Sequence, residues 1–148
     1  MMTINAKHTV DVLLQVAGTQ DCEKAESKLK NLTSLSLANK QISNLLPLAS
    51  LTNLKTLDLH YSNITNVEKL AHLTNLTTLN LTMNKVVDVK PLANLNKLTT
   101  LDLYSNQIRD VTSLASLNKL TTLDLSRNPI EPKVCPLNSA SICKFGSI

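Results

Sequence analysis

"LTTLNLTMNKV", residues 76–86, is answered 22 positions later by "LTTLDLYSNQI", residues 98–108. The frame recurs without a slip, opening on Leu32, Leu54, Leu76, Leu98 and Leu120. With each of these leucines numbered position 1, positions 1, 4, 6, 11, 14, 17 and 20 hold Leu, Ile or Val at all 28 sites of the four full turns. One such turn cannot bury its leucines alone. Stacking turns gives them a shared core, so a period of this length reads as a solenoid.

The spacing within a turn sets its local geometry. Positions 4 and 6 have the period of two that puts side chains on one face of a strand. From position 11 the period is three, as in Ile64, Val67, Leu70, Leu73 and Leu76. An α-helix advances about 100° per residue, so steps of three would wind the apolar stripe away from the core. A 3₁₀-like path keeps i and i+3 eclipsed and fits better. Stacked turns then align their strands as a parallel sheet, about 4.8 Å apart.

The pattern L-x-x-L-x-L-x-x-N-x-I and the phrase "PLANLNKLTTLDLYSNQIRDVTSL" resemble the leucine-rich-repeat family, in particular its internalin-like class of bacterial proteins. The resemblance covers residues 32–130. It implies an α/β fold: a right-handed solenoid with a short curved parallel sheet on the concave face and 3₁₀ or irregular helical segments on the convex face. The family's Asn at position 9 is matched by Asn84, Asn106 and Asn128, whose amides can satisfy backbone groups of neighbouring turns. Lys40 and Ser62 replace it in the first two turns, where the ladder is incomplete.

The expected organisation is a helical N-terminal cap over residues 1–31, an array of about five repeats over 32–130 and an irregular C-terminal cap over 131–148. Residues 9–17 read as a helix closed by Gly18, and about Gln20 to Lys30 as a second, with Asp21 and Glu23 in its first turn. Cys22, Ala25 and Leu29 share one face there, so Cys22 is expected to be a buried cap residue. Pro129, Pro132 and Pro136 forbid another regular turn, leaving Cys135, Leu137, Ile142 and Phe145 to fold back over the last leucines. Cys135 and Cys143 are close enough in sequence to form a disulfide; in a reducing cytosol they would be small core residues.

Composition excludes several functions. Gly18 and Gly146 are the only glycines, too few for phosphate-cradling loops. A net charge of +4, with dispersed lysines and almost no aromatics, argues against nucleic-acid binding. No apolar run is long enough for a membrane span, and no cofactor or metal ligand set is apparent. The first residues lack a basic leader and a clear cleavage site. That allows export without a recognisable cleaved signal, a chain already in its mature form or, alternatively, a cytoplasmic protein. Asn-x-Thr triplets at Asn31, Asn63, Asn75 and Asn80 follow from the repeat's composition and carry no weight.

With positions 4 and 6 inward, positions 3, 5 and 7 face out of the sheet and 2 and 8 stand at its margins. Position 3 (Ser34, Thr56, Thr78, Thr100, Thr122) is a β-favouring scaffold stripe. Position 5 runs Ser36, Asp58, Asn80, Asp102 and Asp124, where Asp102 and Asp124 form a like-charge pair that a basic partner group would relieve. Position 7 runs Ala38, His60, Thr82, Tyr104 and Ser126; position 8 runs Asn39, Tyr61, Met83, Ser105 and Arg127. Both tyrosines fall in these two columns although no leucine core needs them. Tyr and Arg are enriched where interfaces concentrate binding energy.

The expected partner-binding set is therefore Asp58, His60, Tyr61, Asn80, Thr82, Met83, Asp102, Tyr104, Ser105, Asp124, Ser126 and Arg127. Five strands span about 20 Å, which suits a peptide, a loop or the edge of a small domain. A standard interface of about 800 Å² per partner would also recruit loops carrying Lys85 and Arg109. His60 with Asp58, Ser105 and Ser126 invites a hydrolase reading, but no oxyanion hole or activated nucleophile accompanies them. A contact residue whose charge changes near neutral pH suits His60 better.

The expected function is non-enzymatic: a monomeric module that binds a protein, favourably a host protein or peptide, on its concave face. The resemblance implies a secreted or translocated bacterial effector. An intracellular scaffold or regulatory subunit of an enzyme is the alternative, since the class also takes in a phosphatase subunit.

Overall fold

The computed structural model describes residues 4–146. Six strands stack in sequence order as one parallel sheet: β1 Ser34–Ser36, β2 Thr56–Asp58, β3 Thr78–Asn80, β4 Thr100–Asp102, β5 Thr122–Asp124 and β6 Cys143–Lys144. Ser34 pairs with Thr56, Thr56 with Thr78, Thr78 with Thr100 and Thr100 with Thr122. Each step from β1 to β5 thus equals one sequence period. Leu57, Leu59, Leu79, Leu81, Leu101 and Leu103, at positions 4 and 6, are fully buried.

The period of three is realised as hydrogen bonding. Leu70 N–H donates to Val67 O, Leu73 to Leu70 O and Leu76 to Leu73 O, at 2.9, 2.9 and 3.0 Å. The apolar residues are themselves the i to i−3 links, so 3₁₀ segments follow at Leu46–Leu48, Glu68–His72, Lys90–Asn94 and Thr112–Ser116. Position 13 stands two residues before the start of each. Asn44, Asn66, Asp88 and Asp110 accept the backbone N–H two residues on, at Leu46, Glu68, Lys90 and Thr112.

The asparagine ladder is complete where Asn is present. Asn106 Nδ2 donates to Leu81 O and Leu103 O, and its Oδ1 accepts from Val86 N. The first two turns depart, as Lys40 and Ser62 foretold. There position 10 is left-handed, at Gln41 (φ 57°) and Asn63 (φ 60°). In the next turns Lys85 N instead donates to Ile64 O and Gln107 N to Val86 O.

Helix α1 spans Ile4–Ala17, longer than the 9–17 read from sequence. Thr9 extends its inner face: the side chain is fully buried and its hydroxyl donates to Asn44 O at 2.8 Å, so a polar residue sits in an apolar stripe with Ala6 and Leu13. The helix closes at Gly18 (φ +66°), with Thr19 N donating to Leu14 O. Helix α2 spans Cys22–Lys30. Asp21 lies before it as N-cap, accepting from Glu23 N and Lys24 N, and not inside its first turn. Ala25 and Leu29 are buried, but Cys22 is exposed and free, contrary to expectation. It opens the helix, and the stripe begins one turn later.

The C-terminal cap is more ordered than irregular. Ala140–Ile142 forms a 3₁₀ turn, and β6 extends the sheet, its Lys144 O accepting from Leu125 N–H at 2.7 Å. Leu137, Ile142, Cys143 and Phe145 pack against the core, and Cys135 and Cys143 are joined as a disulfide with Cα atoms 5.7 Å apart.

Candidate functional site

Position 5 serves the strand's end before it serves any partner. Asp58, Asn80, Asp102 and Asp124 each accept, through Oδ1, the backbone N–H two residues on, at His60, Thr82, Tyr104 and Ser126 (2.9–3.1 Å). All four side chains are half-buried. The interchange of Asp and Asn in this column was the sequence's signal that an acceptor oxygen, not a charge, is what the fold needs there. Beyond the like-charge pair, β6 sets Lys144 in register with Asp124.

Position 7 presents His60, Thr82 and Tyr104, each half-buried. His60 Nδ1 is 3.0 Å from Asp58 Oδ1, and its Nε2 is 3.2 Å from Asn39 Nδ2. Ser36 Oγ adds a 3.4 Å bond to Asp58 Oδ2. With the Nδ1 proton donated to Asp58, Nε2 is the acceptor for Asn39, so both ring nitrogens are engaged. Among the described residues no serine hydroxyl is one of their partners. Thr82 Oγ1 is buried with no hydrogen-bond partner among the described groups.

Ser126 leaves the expected set. It is buried, and a Cβ built on Gly146 would come 2.9 Å from both Ser126 Cβ and Oγ. The C-terminal cap closes over this end of the concave face, something no repeat pattern in residues 131–148 announces.

Position 8 is left-handed throughout: Asn39 (φ 60°), Tyr61 (55°), Met83 (53°), Ser105 (54°) and Arg127 (55°). Non-glycine residues in this region are strained, and the ladder holds them. Asn39 N donates to His60 O, Tyr61 N to Thr82 O, Met83 N to Tyr104 O and Ser105 N to Ser126 O. The turn lifts the side chains onto the rim. Tyr61 is 53% exposed and Met83 46%, on adjacent turns. The Arg127 guanidinium lies 5.7 Å over the Tyr104 ring, an attractive cation–ring arrangement. Ser105, between them in sequence, is half-buried.

Tyr61, Met83, Tyr104 and Arg127 therefore form a rim of large side chains beside a polar floor of Asp58, His60, Asn80, Thr82, Asp102 and Asp124. Sequence reading missed Gln41 and Asn63, which line a slot with Tyr61 and Met83. The departures from Asn at Lys40 and Ser62 were the signal that this part of the rim runs differently. Among the described residues no group of three or more His, Cys, Asp or Glu could hold a metal ion, and no helix is long and apolar enough to cross a membrane.

The chain matches the family described as Leucine Rich repeats (2 copies) over residues 30–72, 52–94 and 96–137. No curated protein matches it. Among solved structures it is similar to internalin C2 from Listeria monocytogenes, with 39% identity and a TM-score of 0.73, over 82% of this chain and 55% of that one. A second internalin from the same strain shares 38% identity, TM-score 0.67, over 74% of this chain and 32% of that one. The ectodomain of a plant receptor kinase from Arabidopsis thaliana, in complex with Casparian strip integrity factor 2, shares 31% identity, TM-score 0.51, over 56% of this chain and 11% of that one. The chain spans about half the length of the first internalin and a third of the second.

Proposed function

Because the chain belongs to the leucine-rich-repeat family and is related to the Listeria internalins, we propose that it is a non-enzymatic module that binds a protein partner on its concave face and rim. One observation carries the reading. Tyr61 and Met83 stand exposed on adjacent turns, in strained backbone, while every leucine position is filled without them. Exposed aromatic and sulfur side chains grouped beside a fixed polar floor are what an interface core uses. The floor does not compete with this role, because its Asx oxygens and His60 are held in place by the chain itself.

The partner we favour is a host protein or a peptide from one, and the context a secreted bacterial effector. The likeness to internalins supports it, and the Cys135–Cys143 disulfide suits an oxidising compartment. Affinity capture from host and from bacterial lysates, read by mass spectrometry, tests the reading. The protein retains a specific host species, and Tyr61→Ala or Tyr104→Ala loses it without unfolding. Capture that survives both substitutions, or that yields only bacterial enzymes, would replace this reading with a different face or an intracellular scaffold.

A further inference from the structure

Between the second and third turns the loop changes type, and a slot opens at the change. Asn63 and Gln41 are left-handed at position 10, whereas Lys85 is held through its backbone N–H to Ile64 O at 2.8 Å. The slot encloses about 350 Å³ and is lined by Gln41, Tyr61, Asn63, Met83, Asn84 and Lys85. That volume is at the small end of ligand sites, which run about 300–1,000 Å³.

Its unspent polar groups are mostly donors. Asn84 is fully committed: Nδ2 donates to Leu59 O and Leu81 O, and Oδ1 accepts from Ser62 N and Ile64 N. Asn63 Nδ2 donates to Gln41 Oε1 at 2.6 Å, which leaves the Gln41 amide hydrogens free. The Lys85 ammonium has no hydrogen bond or ion pair among the described residues, and no carboxylate lines the slot. The Tyr61 hydroxyl is a further donor. The two walls, Tyr61 and Met83, are apolar and exposed.

We propose that this rim slot receives the side-chain carboxylate of a partner polypeptide, a Glu flanked by apolar residues. Lys85 and the Gln41 amide meet the charge, and Tyr61 and Met83 cover the flanks. The proposal rests on the protein-binding reading and names the chemistry of one anchor within it. Charge complementarity selects the occupant: a basic side chain would face Lys85 with nothing to pair it, and a neutral amide would forgo the ion pair.

The test uses the whole chain with its Met83 methyl group carbon-labelled. Capped pentapeptides, acetylated and amidated, carry Glu, Gln or Lys between leucines. The Glu peptide moves the Met83 methyl resonance at millimolar concentration, and the Gln peptide binds about threefold more weakly, as an exposed ion pair warrants. Lys85→Gln removes the preference of Glu over Gln, while Lys97→Gln, a lysine that does not line the slot, leaves it intact. A Met83 resonance that stays still, equal binding of Glu and Gln peptides, or movement only with acetate or uncapped peptides would overturn the proposal. Tyr104 does not line the slot either. If capture depends on Tyr104 while the Glu peptide leaves Met83 unmoved, only the slot fails. If Met83 responds while capture ignores Tyr61→Ala and Tyr104→Ala, only the concave-face reading fails.

Discussion

Asp102 Oδ1 accepts the backbone N–H of Tyr104 at 3.0 Å, so the carboxylate that looked like a ligand group is the brace under a rim aromatic. Asn80 does the same for Thr82, which shows that the oxygen suffices without its charge. Asp102→Asn should therefore keep the brace and remove one of two charges on neighbouring strands, unfolding at the same temperature or slightly higher. Asp102→Ala should lose about 1 kcal/mol in urea denaturation, the usual worth of one such hydrogen bond. Equal losses in the two variants would show that the charge, not the acceptor, matters.

Tyr61 sits at φ 55° with 53% of its surface exposed. Glycine adopts that backbone without a Cβ penalty, about 1 kcal/mol for other residues. Tyr61→Gly is expected to leave the melting temperature unchanged or raised, because relief of strain offsets glycine's greater freedom when unfolded. The same variant should lose captured partner. A loss of stability comparable to truncating a core leucine, about 2–5 kcal/mol, would assign Tyr61 to the scaffold.

The fold was legible because one physical requirement repeats. Leucines at positions 1, 4 and 6 and at steps of three can share a core only if the chain alternates a strand with 3₁₀ turns, and Leu70, Leu73 and Leu76 hydrogen-bond accordingly. Features set by contact between distant segments were not legible. Strand β6 has two residues and exists because Lys144 O meets Leu125 N, which no local pattern encodes. The burial of Ser126 follows from that pairing, since it brings Gly146, two residues past Lys144, against the Ser126 side chain. Thr9 looked like the start of a helix, yet its hydroxyl is absorbed by Asn44 O. On the rim, the sequence located Tyr61 and Tyr104 by their columns. It did not show that position 8 would be left-handed, because no glycine or asparagine run marks it.

Asp110 gives the fold a pH dependence of known sign. The Thr112 hydroxyl, then the Thr112 backbone N–H, and more weakly the charge of Lys90, hold its carboxyl below the ordinary aspartate value. A group whose pKa is lower folded than unfolded stabilises the fold above its unfolded pKa. That contribution is lost as pH falls through the folded value. A carbon-detected titration should place Asp110 below an ordinary aspartate, and Thr112→Val should raise it, because valine removes the largest of these causes. An unmoved Asp110 in the Thr112→Val protein would assign the shift to other groups.

Cys135 and Cys143 clasp the segment that carries β6 and sets Gly146 over Ser126. Unfolded without reductant, the chain should titrate with a single free thiol, that of Cys22, and three thiols would remove the bridge from the native protein. A bridge closing a loop this short is worth about 2.5 kcal/mol on chain-entropy grounds. Cys135→Ser with Cys143→Ser should therefore melt earlier, and its loss should be local. Hydrogen exchange should quicken at Leu125 N–H, the donor to Lys144 O, before it quickens at Leu103 N–H, which bonds Asp124 O one strand deeper. Uniform acceleration across the sheet would mean that the clasp stabilises the whole stack and not the cap alone.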